Sequence, residues 1–239
     1  MNAPAGRTGQ FEVLWGERAQ PRRGPKGALS LKVIAEAGIT IADTENLTAI
    51  SMQRVAAALG FSKMALYTYV PGKAELIALM ADTALGPPPD PGSDAVGWRA
   101  RLAAWARLLL PAFRRHPWIL EATAGPRVTG PNELAWMEQA LSALDGTDIP
   151  GAQRLDVIAV LAGHVRAIAQ QGIAQSDPEA QLTTVIGEVL RRHPGRYPSI
   201  AAAVGAALAD GPQDDAFQLG LTVILDGIDA LLGRSEVVS

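Results

Sequence analysis

Apolar residues recur along this chain at three- and four-residue spacing, and most of these runs open behind a residue suited to cap a helix. Ser30 precedes LKVIAEAGITIAD, in which Ile34, Ala37, Gly38 and Ile41 share one face. Ser51 precedes MQRVAAAL, with Met52, Val55, Ala56 and Leu59 on one face, and Gly60 supplies the usual left-handed stop. Phe61 is expected as a buried corner. Ser62 then caps a third short helix to about Val70, and Pro71-Gly72 ends it before KAELIALMADTAL opens a fourth.

The strongest break is GPPPDPGSD, residues 86–94, where the prolines forbid a continuing helix and Gly, Ser and Asp suit a turn. A domain boundary is expected there. Beyond it the spacing predicts helices at about 94–115, 117–124, 131–144, 152–174, 178–192, 200–209 and 214–232, and no run of alternating β-branched residues interrupts them. The fold class is therefore all-α. The expected organisation is a flexible basic arm at 1–27, a three-helix unit at 28–85 and a larger helical domain at 86–239.

Composition narrows the chemistry. With 239 residues, 48% of them hydrophobic, the chain can bury a substantial core. It has no cysteine, which excludes disulfides, thiolate nucleophiles, zinc–thiolate sites and iron–sulfur clusters and makes a reduced cytoplasm the expected location. The first twenty residues lack the pattern of a secretion signal, and no stretch of about 18 apolar residues runs uninterrupted, so no membrane span is expected. The net charge of −3 is unevenly spread. Residues 1–85 hold 9 Lys/Arg against 7 Asp/Glu, whereas residues 86–239 hold 12 against 17. Arg18, Arg22, Arg23, Lys26 and Lys32 follow one another with no acid among them.

Two short helices joined by a Gly-containing turn have the geometry of a helix-turn-helix, whose second helix enters the major groove of DNA. Leu66 and Val70 would face inward there, leaving Lys63, Met64, Tyr67 and Thr68 outside. Lys63 can meet a guanine edge or a phosphate, Thr68 a base or a phosphate, and Met64 and Ala65 a thymine methyl. Tyr67 and Tyr69 can donate to phosphates. Free amides at helix N-termini favour anions, which makes Ser51, Ser62 and the helix start at Lys73 expected phosphate clamps. The same pattern also fits an alanine-rich hairpin that merely packs. Arg22, Arg23 and Lys26 either track the DNA backbone or form a solvated tail.

The segment from Leu29 to Leu79, with S-M-Q-R-V-A-A-A-L-G, L-Y-T-Y-V and P-G-K-A-E-L, resembles the DNA-binding domain of the tetracycline-repressor (TetR) family, and R-R-G-P-K-G-A-L-S ahead of it resembles an actinobacterial branch. The resemblance implies a homodimer of all-helical subunits that releases operator DNA when a small-molecule effector binds the carboxy-terminal domain. It places Gln53 and Arg54 at base- and phosphate-reaching positions, and Lys63, Met64, Ala65, Tyr67 and Thr68 on the recognition helix. Tyr69 stands where the family often has a phosphate-contacting His, and Lys73 matches a phosphate-anchoring lysine. Val70 stands where most members have Phe.

An effector cavity needs apolar walls with a few polar groups. Trp98, Trp105, Phe113, Trp118, Trp136, Met137, His164 and Arg166 are the candidates, each of which also fits ordinary core. His164 and Arg166 interrupt the apolar run VIAVLAGHVRAIA, so each requires a partner: a polar effector or a buried Asp or Glu. The stretch from Arg101 to Leu144 also resembles the carboxy-terminal domain of the tetracycline-repressor type. Residues 76–94 contain no His where the drug-binding members use one, so the effector is left open. Helices at about 152–174 and 214–232 have apolar stripes broader than one subunit buries, and the resemblance implies a four-helix interface with a second copy; internal packing is the alternative.

Catalysis finds little support. The histidines are His116, His164 and His193, none at metal-ligand spacing from another, and HExxH, GxSxG and GxxxxGK[ST] motifs are absent. Neither a catalytic residue, a metal nor a cofactor is expected. A sequence-neutral architectural DNA binder is the remaining alternative.

Overall fold

The computed structural model describes residues 5–16, 29–174, 178–210 and 216–235, and all regular structure among them is helical. The chain divides into two compact units, Met1–Gly146 and Thr147–Ser239. The first unit contains α1 (Ala5–Leu14), α2 (Leu31–Thr44), a 3-10 turn (Leu47–Ala49), α3 (Met52–Ala58), α4 (Lys63–Tyr67), α5 (Lys73–Leu85), α6 (Gly97–Arg115), α7 (Ile119–Ala122) and α8 (Pro131–Ser142). The second contains α9 (Gly151–Ala174), α10 (Pro178–Arg192), α11 (Pro198–Asp210) and α12 (Ala216–Ser235).

Three serines begin α2, α3 and α4. Ser30, Ser51 and Ser62 each accept a hydrogen bond from the backbone N–H three residues on, at Val33, Arg54 and Ala65. Each satisfies one of the amides that a helix start leaves unpaired. Gly60, at φ +73°, closes α3, and the Phe61 N–H reaches back to the Ala56 carbonyl at 2.9 Å. Ile34, Ile50, Val55, Leu66, Val70, Leu76 and Met80 are fully buried, each contributing about 1.5–3 kcal/mol. α2 and α5 pack side by side, closely enough that a Cβ at Gly38 would lie 2.5 Å from Met80 Sδ.

Two local expectations are corrected. Phe61 is 40% exposed, because its backbone rather than its ring makes the corner while Leu66 and Val70 fill the space beneath. The third helix is a single turn, Lys63–Tyr67, and the chain continues to Val70 as a tight turn in which the N–H groups of Tyr69 and Val70 both reach the Leu66 carbonyl.

The amino-terminal segment is corrected too. Residues 1–27 were expected as a flexible arm, yet Ala5–Leu14 form a helix that packs along α5. Within FEVLW, Val13 and Leu14 are buried, and Leu14 joins Ala78 and Val128 in a small cluster, while Phe11 and Trp15 are more exposed. Arg22, Arg23 and Lys26 lie outside the described residues.

The later helices of the first unit hold α2 and α5 by polar contacts. Asp43, near the end of α2, accepts from the Trp118 indole N–H at 2.7 Å and bonds His116 Nδ1 at 2.8 Å. Along α8, Asn132, Trp136 and Gln139 stand one turn apart on one face. They donate to Asp82, to the Gly86 carbonyl and to the Pro89 carbonyl at 3.0, 3.0 and 2.8 Å.

Candidate DNA-binding face and effector region

α3 braces α4 through Met52, Val55 and Ala56, all buried, while Gln53 and Arg54 on its other side are exposed. On α4, Leu66 is the inward anchor. Lys63, Met64 and Thr68 are exposed, Met64 to 73%, and Ala65, Tyr67 and Tyr69 are half-buried. An exposed methionine on a one-turn helix adds nothing to the core, which makes it available to an apolar group such as a thymine methyl.

Several of these side chains already have partners. The Arg54 guanidinium is paired with the Glu45 carboxylate, at the end of α2. The Lys63 ammonium lies 5.5 Å from the centre of the Tyr67 ring, a cation–π contact that orients both groups. Thr68 Oγ1 lies 3.4 Å from the Met64 carbonyl. Ser51 and Ser62 are exposed, and each uses its hydroxyl on one amide, leaving the two preceding N–H groups of its helix for an anion. At α5 the N-cap is Gly72, which has no side chain to offer, and Lys73 is exposed at the first helical position.

Asp82 is buried where α5 meets α8. Its Oδ1 accepts from the backbone N–H groups of Asn132 and Glu133 at 3.0 and 3.1 Å, so a carboxylate on α5 caps α8. Burial pushes its pKa above the usual carboxylate range, and the Glu133 charge adds to that, while the bonds from Glu133 and Asn132 pull the other way. Sequence reasoning missed this residue, although a signal was present. α8 starts G-P-N-E, with Pro at its first position and Gly130 as an N-cap without a side-chain hydrogen bond, so its amides require an acceptor from elsewhere.

The effector candidates fall in both units. In the first, Trp105 and Trp136 meet edge to face with ring centres 6.2 Å apart. The Trp105 indole N–H donates to the Trp136 carbonyl at 2.8 Å, and both rings are buried. Phe113 and Trp118 are buried, Trp98 is half-buried, and Met137 is 38% exposed. In the second unit His164 and Arg166 are half-buried on α9. His164 has a partner within the unit: its Nε2 lies 2.9 Å from the Phe217 carbonyl and its ring stacks on Phe217 at 5.8 Å. That fit depends on Gly220, where a Cβ would come within 2.2 Å of the imidazole. Among the described residues no group of three or more His, Asp or Glu side chains is placed to hold a metal ion.

α9 and α12 pack together, and their outer side forms an apolar groove of about 320 Å³ lined by Gln153, Asp156, Val157, Val160, Ile224, Ile228 and Leu231. Residues Ala216–Gly233 of α12 are long and apolar enough to cross a membrane, and only 17% of that stretch is buried within the chain.

The family described as tetracyclin repressor-like, C-terminal domain, matches residues 88–232. The chain is 36% identical over 234 residues to the HTH-type transcriptional repressor DrrR1 of Streptomyces coeruleorubidus, covering 94% of this chain and 86% of that protein. Two solved structures of ActR from Streptomyces coelicolor share the fold. The complex with (S)-DNPA has a TM-score of 0.71 at 25% identity, covering 84% of this chain and 98% of that one. The complex with actinorhodin has a TM-score of 0.73 at 24% identity, covering 86% and 99%. The chain belongs to the tetracycline-repressor (TetR) family of transcriptional regulators.

Proposed function

We propose that this protein is a cytoplasmic homodimeric repressor that grips a palindromic operator and lets go when a small molecule binds. The observation that carries the reading is the outward face of α4. Lys63, Met64 and Thr68 are exposed on a helix anchored by a fully buried Leu66, flanked by helix starts at Ser51, Ser62 and Lys73 that favour phosphates. Gln53, Arg54, Ala65, Tyr67 and Tyr69 complete the proposed contact set. The repressor role of the relative DrrR1 supports it, and the ActR complex with (S)-DNPA supports small-molecule control.

One head offers few base contacts. Two heads about 34–36 Å apart would meet successive major grooves. The groove between α9 and α12 supplies the apolar surface for the second copy, in the four-helix manner of long amphipathic helices. Effector contact is assigned to Trp105, Phe113, Trp136 and Met137 in the first unit and to His164 and Arg166 in the second. Release is a population shift, in which each tenfold loss of operator affinity needs about 1.4 kcal/mol of difference in effector binding between the two states.

Selection of bound sequences from random duplex DNA, repeated with candidate metabolites, tests the reading. A repressor prefers its selected site over random duplex by on the order of 10³-fold or more. Equal affinity for both would leave a sequence-neutral binder instead.

A further inference from the structure

The amino-terminal helix lies outside both the head and the region matched by the family domain at 88–232, yet it is tied to two separate parts of the first unit. Val13 and Leu14 are buried, with Leu14 clustered between Ala78 of α5 and Val128 of the segment leading into α8. Gln10 Oε1 accepts from the Val128 N–H at 3.0 Å, and the Trp15 indole N–H donates to the Thr129 carbonyl at 3.2 Å. Midway along its length α1 comes so near α5 that a Cβ on Gly9 would lie 3.1 Å from Glu75 Oε1. These contacts form together only while α5 and the 128–129 segment keep their present separation.

A group that binds one arrangement of two elements and not others stabilises that arrangement, whether it arrives from solution or on the same chain. We propose that α1 is a built-in strap whose docking pre-organises α5, and with it the head, for DNA. Gln10, Leu14 and Trp15 act as positioning residues: they touch no nucleotide and work by restricting α5. The inference rests on the DNA-binding reading above. Freeing α5 spreads the head over more geometries, and apparent operator affinity falls with the fraction that remains competent.

The test uses the full-length chain and a duplex selected with the wild-type protein. Leu14→Asp places a charge in the cluster, Trp15→Phe removes one hydrogen bond, and Phe11→Asp, on the exposed side of the same helix, is the control. Leu14→Asp is expected to weaken operator binding about tenfold. The salt dependence of binding should stay as in the wild type, because no phosphate contact is lost. Backbone amides of residues 74–85 and 128–134 should exchange faster with solvent. Trp15→Phe should move the same readouts less, Leu14→Met should restore them, and Phe11→Asp should leave them unchanged.

Wild-type affinity in both Leu14→Asp and Trp15→Phe would overturn the strap, as would lost affinity in Leu14→Asp with unchanged exchange in those two segments. Global loss of exchange protection in Leu14→Asp would pass the decision to Trp15→Phe, whose affinity and local exchange must then both change for the proposal to stand. Failure of the wild type to select any sequence would instead overturn the DNA-binding reading.

Discussion

Lys73 stands at the first position of a helix whose N-cap has no side chain to offer, so its charge adds to amides that already favour an anion. Lys73→Ala is expected to weaken binding to every duplex alike and to lower the slope of log affinity against log salt by about one. Lys63 and Thr68 project from the exposed face of α4. Lys63→Ala and Thr68→Ala are expected to change which sequence is selected, and an unaltered preference in both would show that another face reads the bases. Asp82 makes a different prediction, about pH. Because burial raises its pKa, the folded chain binds this proton more tightly than the unfolded chain does. Between the ordinary carboxylate range and the raised value, stability from this group is greatest on the acid side and falls as pH rises. Asp82→Asn removes that titration. Denaturant unfolding from about pH 3 to 7 should therefore give a wild-type stability that declines relative to Asp82→Asn as pH rises, and a relative increase would contradict the assignment.

At the level of helices, the turn between α3 and α4 depends on Gly60 at φ +73°. Gly60→Ala meets no neighbouring atom, so its cost is conformational, about 1 kcal/mol in chemical denaturation, and Gly60→Asn should lose less. That glycine was legible in the sequence because it follows a capped, periodic run, as were the serine caps and nearly every later helix. Other features depend on partners distant in the chain, which periodicity cannot supply. Gly38 was legible as part of the apolar face of α2, but the reason for a glycine there, Met80, lies 42 positions away on α5. Phe61 reads as core, but the turn directs its backbone inward instead. FEVLW is apolar for a tail, which hints at packing, but the surface it meets, α5 and Val128, is distant in the chain. On the proposed DNA-binding face the exposed positions were legible, whereas the Glu45 carboxylate that holds Arg54 was not, because it stands nine positions away across a 3-10 turn.

For the whole molecule, an unmet need lies on α12, where only 17% of an apolar stretch of 18 residues is buried within the chain. A second copy answers that need under the proposed function. Val160→Glu and Leu231→Glu, both at exposed positions on the walls of the groove, are expected to yield monomers in sedimentation experiments and to lose operator binding while keeping helical content. Persistent dimers in both would place the interface elsewhere. The Pro-rich turn at 86–94 was the legible break in the chain and lies beside the start of the family domain at residue 88, whereas the compact units divide at Gly146. The difference arises because α8 returns to donate its three hydrogen bonds to α5 and the turn after it, a pairing set by residues 50 positions apart. Asn132, Trp136 and Gln139 meet their acceptors in step, like teeth on a rack. A slide by a fraction of a turn disengages all three together rather than one at a time. Motion at this seam is therefore stepwise, and nuclear magnetic resonance during any release of the head should record two exchanging sets of signals for α8 rather than one set that drifts.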